Sequence, residues 1–291
     1  MALLAGSSGQ SILRPEEVQE LVIQPLIAQA VCTRISTVVQ TGSHSTRFPI
    51  VVTDPTTGWT PEGEEINISD PDLDELVVTP PALKGLTVVS NELMADSDPS
   101  ALEVVGSGLV RDLQTKLDAA YFGATVSHGP SGLESLADVQ VTETEWAGNL
   151  DPFAEAISLA EQVGVQPVEL VDGRPVPGIS FVANPADVLT LSTLKVQDGS
   201  NQPLLGPDAT SVTSRSVLGV PLFSSPAVTR GIAWAVPRSR VFVVLRTNPE
   251  VVADRSAFFS SDSTGIRCVL RVGFGFPHQA AIAKVVIDGG S

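Results

Sequence analysis

The densest chemistry in this sequence is acidic. Asp70, Asp72 and Asp74 stand at alternate positions with Glu75 beside them, as oxygen ligands do at the start of a calcium-binding loop. Such a loop needs glycine at its sixth position for a sharp turn and glutamate at its twelfth for bidentate ligation. Glu75 and Pro81 occupy those places. A solvated acidic face or a protein contact is the better reading, and no metal is expected.

Other chemistries find less support. His44, His128 and His278 are scattered with no partner at ligand spacing, and Cys32 and Cys268 are far apart with no histidine beside either. Neither a zinc module nor a disulfide framework is indicated. No GxSxG elbow, Walker loop or HExxH occurs. Gly273-Phe274-Gly275-Phe276 is a broken dinucleotide pattern inside a run that reads as strand, where its glycines would relieve crowding or bend the chain. Asn67-Ile68-Ser69 matches a glycosylation sequon by chance, and Trp59, Trp146 and Trp234 are too dispersed for a stacking platform. No catalytic residue, cofactor or metal is expected, and an enzyme of unrecognised type is the weaker alternative.

The whole chain fits that reading. Its 291 residues, 43% hydrophobic, suffice for a sizeable core. A formal charge of −16 would repel a phosphate backbone, which argues against direct nucleic-acid readout. Lysine is confined to Lys84, Lys116, Lys195 and Lys284, and thirteen basic residues are arginine. That bias suits interfaces, because the guanidinium pairs bidentately and is weakly hydrated; a GC-rich genome would produce it too. The N-terminus carries no basic segment followed by a long apolar run, so neither secretion nor a membrane span is expected.

The elements that must position these residues read as an α+β chain. Pro15, Glu16 and Glu17 open a helix over 15–31 that Pro25 perturbs. Arg47 to Val52 reads as a strand, with PALKGLTVVS as its return partner. Between them, residues 54–83 are turn-rich, hold eight carboxylates and no Lys or Arg, and should project as a long hairpin or loop that wants a partner surface. The clearest helix spans 98–123, with Asp98 as cap, Pro99 at its first position and Gly123 as its stop. Leu102, Val105, Leu109, Leu113, Leu117 and Ala120 form its apolar stripe. A helix over 152–163, a turn-rich link VDGRPVPG, a strand ISFVAN and a helix capped by Asn184 follow. Then come an irregular loop, VQDGSNQPLLGPDATSVTS, four β-rich runs and a last strand.

LRPEEVQELVIQPL, ALKGLTVVSNEL, FVANPADVLTLSTLK and RCVLRVGFGFPHQAAIAKV appear in that order. Together they resemble the major capsid proteins of tailed bacteriophages, from about Arg14 to Val286. The resemblance implies an N-terminal arm at 1–45 and an extended loop at 46–90. It implies a peripheral domain at 91–149 and 246–291 built on the spine helix 98–123, and an axial domain at 150–245. It implies a chain that self-assembles through hexamers and pentamers into an icosahedral head shell around double-stranded DNA. Partners would be a scaffolding protein, a portal and, as a further candidate, a decoration protein. The place would be the virion, after assembly in the bacterial host cytoplasm.

On that reading the acidic loop lies across a neighbouring subunit. Asp70, Asp72, Asp74 and Glu75 would meet arginines such as Arg111, Arg255, Arg267 or Arg271, and Pro80, Pro81 and Gly85 are the hinge candidates at the loop base. The loop at 196–209 would lie near a capsomer axis, unless it is an ordinary surface loop. No coiled-coil domain precedes the arm, so a separate scaffolding protein or a processed chain is implied. Some relatives join a loop lysine to an asparagine beside a carboxylate; here Lys84 lies at the loop base and Asn248 with Glu250 is a loose match, so no crosslink is expected. An encapsulin-type nanocompartment shell, which shares the fold, is the alternative, and the arm-like residues 1–14 favour the virus.

Overall fold

The computed structural model describes residues 29–53, 55–65, 68–92, 101–142, 148–171, 173–197, 200, 203–205, 215–246 and 250–287. Most of the helix expected over 15–31, the cap at Asp98 and Pro99, much of the loop after 195, and Asn248 lie outside them. In chain order the first elements are α1 (Val31–Ile35), β1 (Thr37–Thr41), β2 (Thr46–Thr53), β3 (Asp72–Val78), β4 (Ala82–Ser90), α2 (Ala101–Phe122) and β5 (Gln140–Val141). There follow α3 (Asp151–Gln162), β6 (Val168–Val171), β7 (Arg174–Pro177), β8 (Ile179–Ala183), α4 (Pro185–Thr193), β9 (Ser216–Val217) and β10 (Val220–Ser224). The last are β11 (Ile232–Pro237), β12 (Phe242–Arg246), β13 (Glu250–Phe258), β14 (Ser263–Gly275) and β15 (Ala283–Val286).

The long strand β14 organises the first sheet. β4 and β13 flank it antiparallel, β12 pairs with its last residues, and β1 adds to β12 in parallel. Its inner face turns Cys268, Leu270, Val272 and Phe274 into a core with α2, whose Val110, Leu113, Leu117 and Tyr121 recur at helical spacing. Of the expected stripe, Leu113, Leu117 and Ala120 lie on this packed face, Val110 and Tyr121 complete it, and the side chain of Leu102 lies outside the described residues. Gly123 ends the helix as expected, its N–H donating to Ala119 O at 3.1 Å, where a Cβ would come within 2.7 Å of that oxygen.

The second sheet runs β5-β15-β11-β8-β10-β9. β8 and β11 are buried along their whole length, which explains why they are apolar apart from Ser180. Ala233 and Ala235 face the core made with α3 and α4, while Trp234 and Val236 face the core made with α2. Asn184 caps α4 as expected, accepting from Ala186 N at 3.1 Å. The strands interleave across the expected boundary at 245/246: β12 joins the first sheet and β15 the second.

Three expectations need correction. The return partner of β2 is β3, from Thr46↔Val78 to Thr53↔Asp72, and β4 pairs instead with β14. Carboxylates argue against a strand, yet in a two-stranded ribbon open to water on both faces they stay hydrated. β4 alternates Leu83, Thr87 and Val89 inward with Lys84, Leu86 and Val88 outward, a pattern that needs a core on one side. The link VDGRPVPG contributes β7, because proline is tolerated on an edge strand. The end of the expected arm is core: Ala30, Cys32 and Ile35 are fully buried. Among the described residues no helix is long and apolar enough to cross a membrane.

Candidate assembly interface

The ribbon of β2 and β3 is seated on a strip of bare backbone. Along the end of β14, Phe274 and Phe276 turn inward to Tyr121, with ring centroids 5.1 and 5.8 Å away, while Gly273 and Gly275 turn outward. A Cβ on Gly273 would lie 2.8 Å from Val78 Cγ1 and 3.2 Å from Pro80 Cα; one on Gly275 would lie 3.2 Å from Val78 Cγ2 and 3.4 Å from Phe48. Phe48 stacks on Phe242 at 4.5 Å and closes the other side of the seat. The glycines relieve crowding, as their type suggested.

Beyond this root the ribbon is exposed. Asp70, Asp72, Leu73, Asp74 and Glu75 all face solvent, and Trp59 and Ile68 near its tip are almost fully bare. Ser69 Oγ accepts from Thr56 N at 2.9 Å and donates to Thr56 O at 3.1 Å, which ties the two arms together. Glu75 already has a cation in its own chain: Arg47, diagonal to it across the ladder, donates at 2.8 Å. Asp72 and Asp74 lie on one face of β3. Among the described residues no group of three His, Cys, Asp or Glu side chains could hold a metal.

The candidate arginines do not converge. Arg267 and Arg271 stand on the outward face of β14, level with Leu86 and Ala82, and Lys84 lies between them opposite Val269. Arg111 is exposed on α2, which covers the sheet's other face. The side chain of Arg255 lies outside the described residues. The outward face of β4 and β14 thus combines Lys84, Arg267 and Arg271 with exposed Leu86 and Val88. Lys84 was the residue missed; strict inside-outside alternation through Leu83-Lys84-Gly85-Leu86 was its signal.

The hinge candidates separate as well. Pro80 is buried, and Pro81 O accepts from Val272 N at 3.1 Å, so both sit where β3 gives way to β4. Gly85 lies inside the ladder opposite Cys268, where Leu109 of α2 comes within 3.6 Å of a Cβ built there. A Cβ there would make only ordinary van der Waals contact, and Gly85 sits within a paired strand.

His278 lies half-buried just beyond the end of β14. Partial burial, and then the guanidinium of Arg240, hold its imidazole below the ordinary value. The unfolded chain therefore binds that proton more readily, so stability is full above the ordinary histidine range and falls as pH drops through it. His278→Gln is expected to flatten the pH dependence of Tm between about pH 7 and 5; an unchanged slope would remove His278 as its source.

A family model described as the phage capsid family matches residues 10–287. The chain belongs to the phage capsid family. This capsid-family chain shares its fold with a capsid of a native GTA particle in C5 symmetry, at TM-score 0.67 and 16% identity over 99% of this chain and 96% of the other. A structure from Microbacterium phage Oxtober96 gives TM-score 0.68 and 15% identity over 99% and 96% of the two chains. One from Mycobacterium phage Bobi gives 0.67 and 18% over 96% and 100%. No curated protein sequence matches the chain.

Proposed function

We propose that this capsid-family chain is a major capsid protein, a structural subunit that assembles with copies of itself into an icosahedral virion shell. Family membership supports it directly, and one observation in the chain carries it: a long ribbon, acidic and partly apolar, stands clear of its own domain and has no core of its own. Hexamers and pentamers, double-stranded DNA inside the shell, assembly in the host cytoplasm, and scaffolding, portal and decoration proteins belong to the same reading. So do an arm at 1–45 whose Ala30, Cys32 and Ile35 are packed into the core, an extended loop at 46–90, a peripheral domain at 91–149 and 246–291 and an axial domain at 150–245, with strands exchanged between the last two. No catalytic step is assigned.

The ribbon's partner in this reading is the outward face of β4 and β14 on a neighbouring copy. Asp70, Asp72 and Asp74 offer charge, and Lys84 and Arg271 answer it. Glu75, paired at home, orders the ribbon instead. Pro80 and Pro81 are the pivot about which the ribbon changes its angle during shell maturation.

Exposed ion pairs are worth about 0.2–1 kcal/mol each, so loss of the pairs to Lys84 and Arg271 is expected to change the assembly threshold by up to about tenfold. The Asp70→Asn, Asp72→Asn, Asp74→Asn triple variant should need that much more protein to assemble at low salt, and the gap should narrow as salt screens the wild type. Equal thresholds at low salt would remove these carboxylates from the contact. The reading as a whole is tested by negative-stain electron microscopy of the purified chain, alone and coexpressed with neighbouring genes. Shells, capsomers or tubes are expected; a monodisperse monomer under both conditions would overturn it.

A further inference from the structure

We propose that the two 3-10 turns carrying the chain between the sheets form a proton-sensitive clasp. With His278 neutral they lie side by side and hold one angle between the sheets; with His278 charged, it and Arg240 push them apart. The proposal goes beyond the shell reading and does not depend on it.

The geometry follows from strand pairing. β11 and β15 are antiparallel neighbours in the second sheet, with Ala235 opposite Ala283, and β12 and β14 are antiparallel neighbours in the first, with Phe242 opposite Gly275. The chain runs from β11 into β12 and returns from β14 into β15, so the four strands make one long ribbon that passes from sheet to sheet. Both sides of that ribbon break at the same level, at Arg238–Arg240 and at Gln279–Ala281, each a single 3-10 turn. Continuing the ladder past Phe242 and Gly275 brings Arg240 level with Pro277 and beside His278, where both side chains are half-buried.

Each turn is fastened to different neighbours. Arg238 N donates to Gly178 O at 2.8 Å, and Thr37 donates from Oγ1 to Arg238 O at 2.8 Å and from N to Val241 O at 2.9 Å. On the other side Gln140 donates from Nε2 to Ala280 O at 2.7 Å and from N to Ile282 O at 3.1 Å. Among the described residues no hydrogen bond joins one turn to the other. What lies between them is a like-charge pair in waiting.

The charged groups on the neighbouring elements are Arg238, Asp138, Glu169, Lys284, Asp118 of α2, and Asp151, Glu155 and Glu161 of α3. Glu169 accepts from Ser239 Oγ, Asp151 from Asn149 Nδ2 and Asp118 from the start of α1. Burial, and then the charge of Arg240, disfavour the imidazolium of His278, and no carboxylate among the described residues offsets them. Once charged, His278 gains by moving away from Arg240 into water. The open clasp therefore binds the proton more readily than the closed one, and falling pH populates it. The core that Trp234 and Val236 share with α2 keeps the sheets together, so the change is confined to the clasp and the angle it sets.

Hydrogen–deuterium exchange on the unassembled full chain tests this at about pH 7 and about pH 5, either side of the histidine range, with labelling times scaled to the intrinsic rates. Opening that takes up one proton shifts by at most about tenfold per pH unit. The amides of Thr37, Arg238 and Gln140 are expected to lose protection several-fold at the lower pH, while those within β8 and β11 keep theirs. His278→Gln is expected to hold its protection at both pH values, and Arg240→Gln, which leaves the histidine in place, to lose less than wild type. A loss in His278→Gln equal to that of wild type overturns the clasp, as does an undiminished loss in Arg240→Gln or a wild type that responds at neither turn. Failure of the chain to form shells would overturn the shell reading and leave this result untouched.

Discussion

Replacing Gly273 with valine is expected to abolish closed shells while leaving a folded subunit. The new Cβ would arrive 2.8 Å from Val78 Cγ1 and 3.2 Å from the Pro80 backbone, and two further methyls would follow it into the seat of the ribbon. Overpacking of this kind costs about 1–3 kcal/mol. The chain can avoid most of that cost by lifting the ribbon off β14, because Val78 and Phe48 are its points of contact there. A ribbon at the wrong angle cannot reach a neighbour in register, and register matters because each contact is repeated by symmetry. The measurement pairs thermal unfolding with electron microscopy. A modest fall in Tm with no closed particles is the expected result, and Gly273→Ala should fall between it and wild type. Normal shells of normal diameter from the valine variant would show that the seat does not set the ribbon's direction.

The second large effect is on stability. Asp118 of α2 accepts hydrogen bonds from Val31 N at 3.1 Å and Cys32 N at 2.9 Å, the first N–H groups of α1. Those donors have no partner within a helix so short, and Cys32 is fully buried. Asp118→Ala leaves both unsatisfied, at about 1–3 kcal/mol each. A loss of about 2–4 kcal/mol is therefore expected, since water reaches part of the site.

The consequence spreads because α1 is stitched to so much else. Ser36 Oγ and Tyr121 OH share a hydrogen bond at 2.8 Å, Thr37 Oγ1 donates to Arg238 O at 2.8 Å, and Arg34 lies 4.6 Å over the ring of Phe223. Burial, reinforced by the nearby carboxylate, holds the Cys32 thiol well above its ordinary pKa, and burial raises the Tyr121 hydroxyl, so both remain neutral in the fold. Denaturant unfolding of Asp118→Ala and Asp118→Asn would measure the effect, with asparagine, which keeps one acceptor, the milder of the two. A loss below about 0.5 kcal/mol, the size of an ordinary surface substitution, would mean that water replaces the carboxylate.

Much of the local structure was legible in the residues. The stripe through Leu113 and Leu117, the stop at Gly123, the cap at Asn184 and the buried strand at Ile179–Ala183 each rest on interactions within a few positions of chain, and each is found where its pattern placed it. The family, too, could be recognised from four short stretches. The acidic run at 54–83 was legible as something that projects, and Gly273 and Gly275 as residues that make room.

What the tertiary structure alone decided is who pairs with whom. β4 and β14 are some 180 positions apart and meet along nine residues, and no local pattern selects that partner over β2. The segment of β3 reads as a hairpin or loop with no strand assigned, and that of β7 as a turn-rich link, because carboxylates and prolines oppose a strand in a buried sheet; only a ribbon with open faces or a free edge lifts the objection. Asp118 reads as one more charge on a helix until the fold carries α1 to it across 86 positions of chain. The grouping of Lys84 with Arg267 and Arg271 has the same origin: sequence determines which side of a strand a residue takes, but the identity of its neighbours across the sheet follows from long-range pairing, whose free energy belongs to the assembled fold.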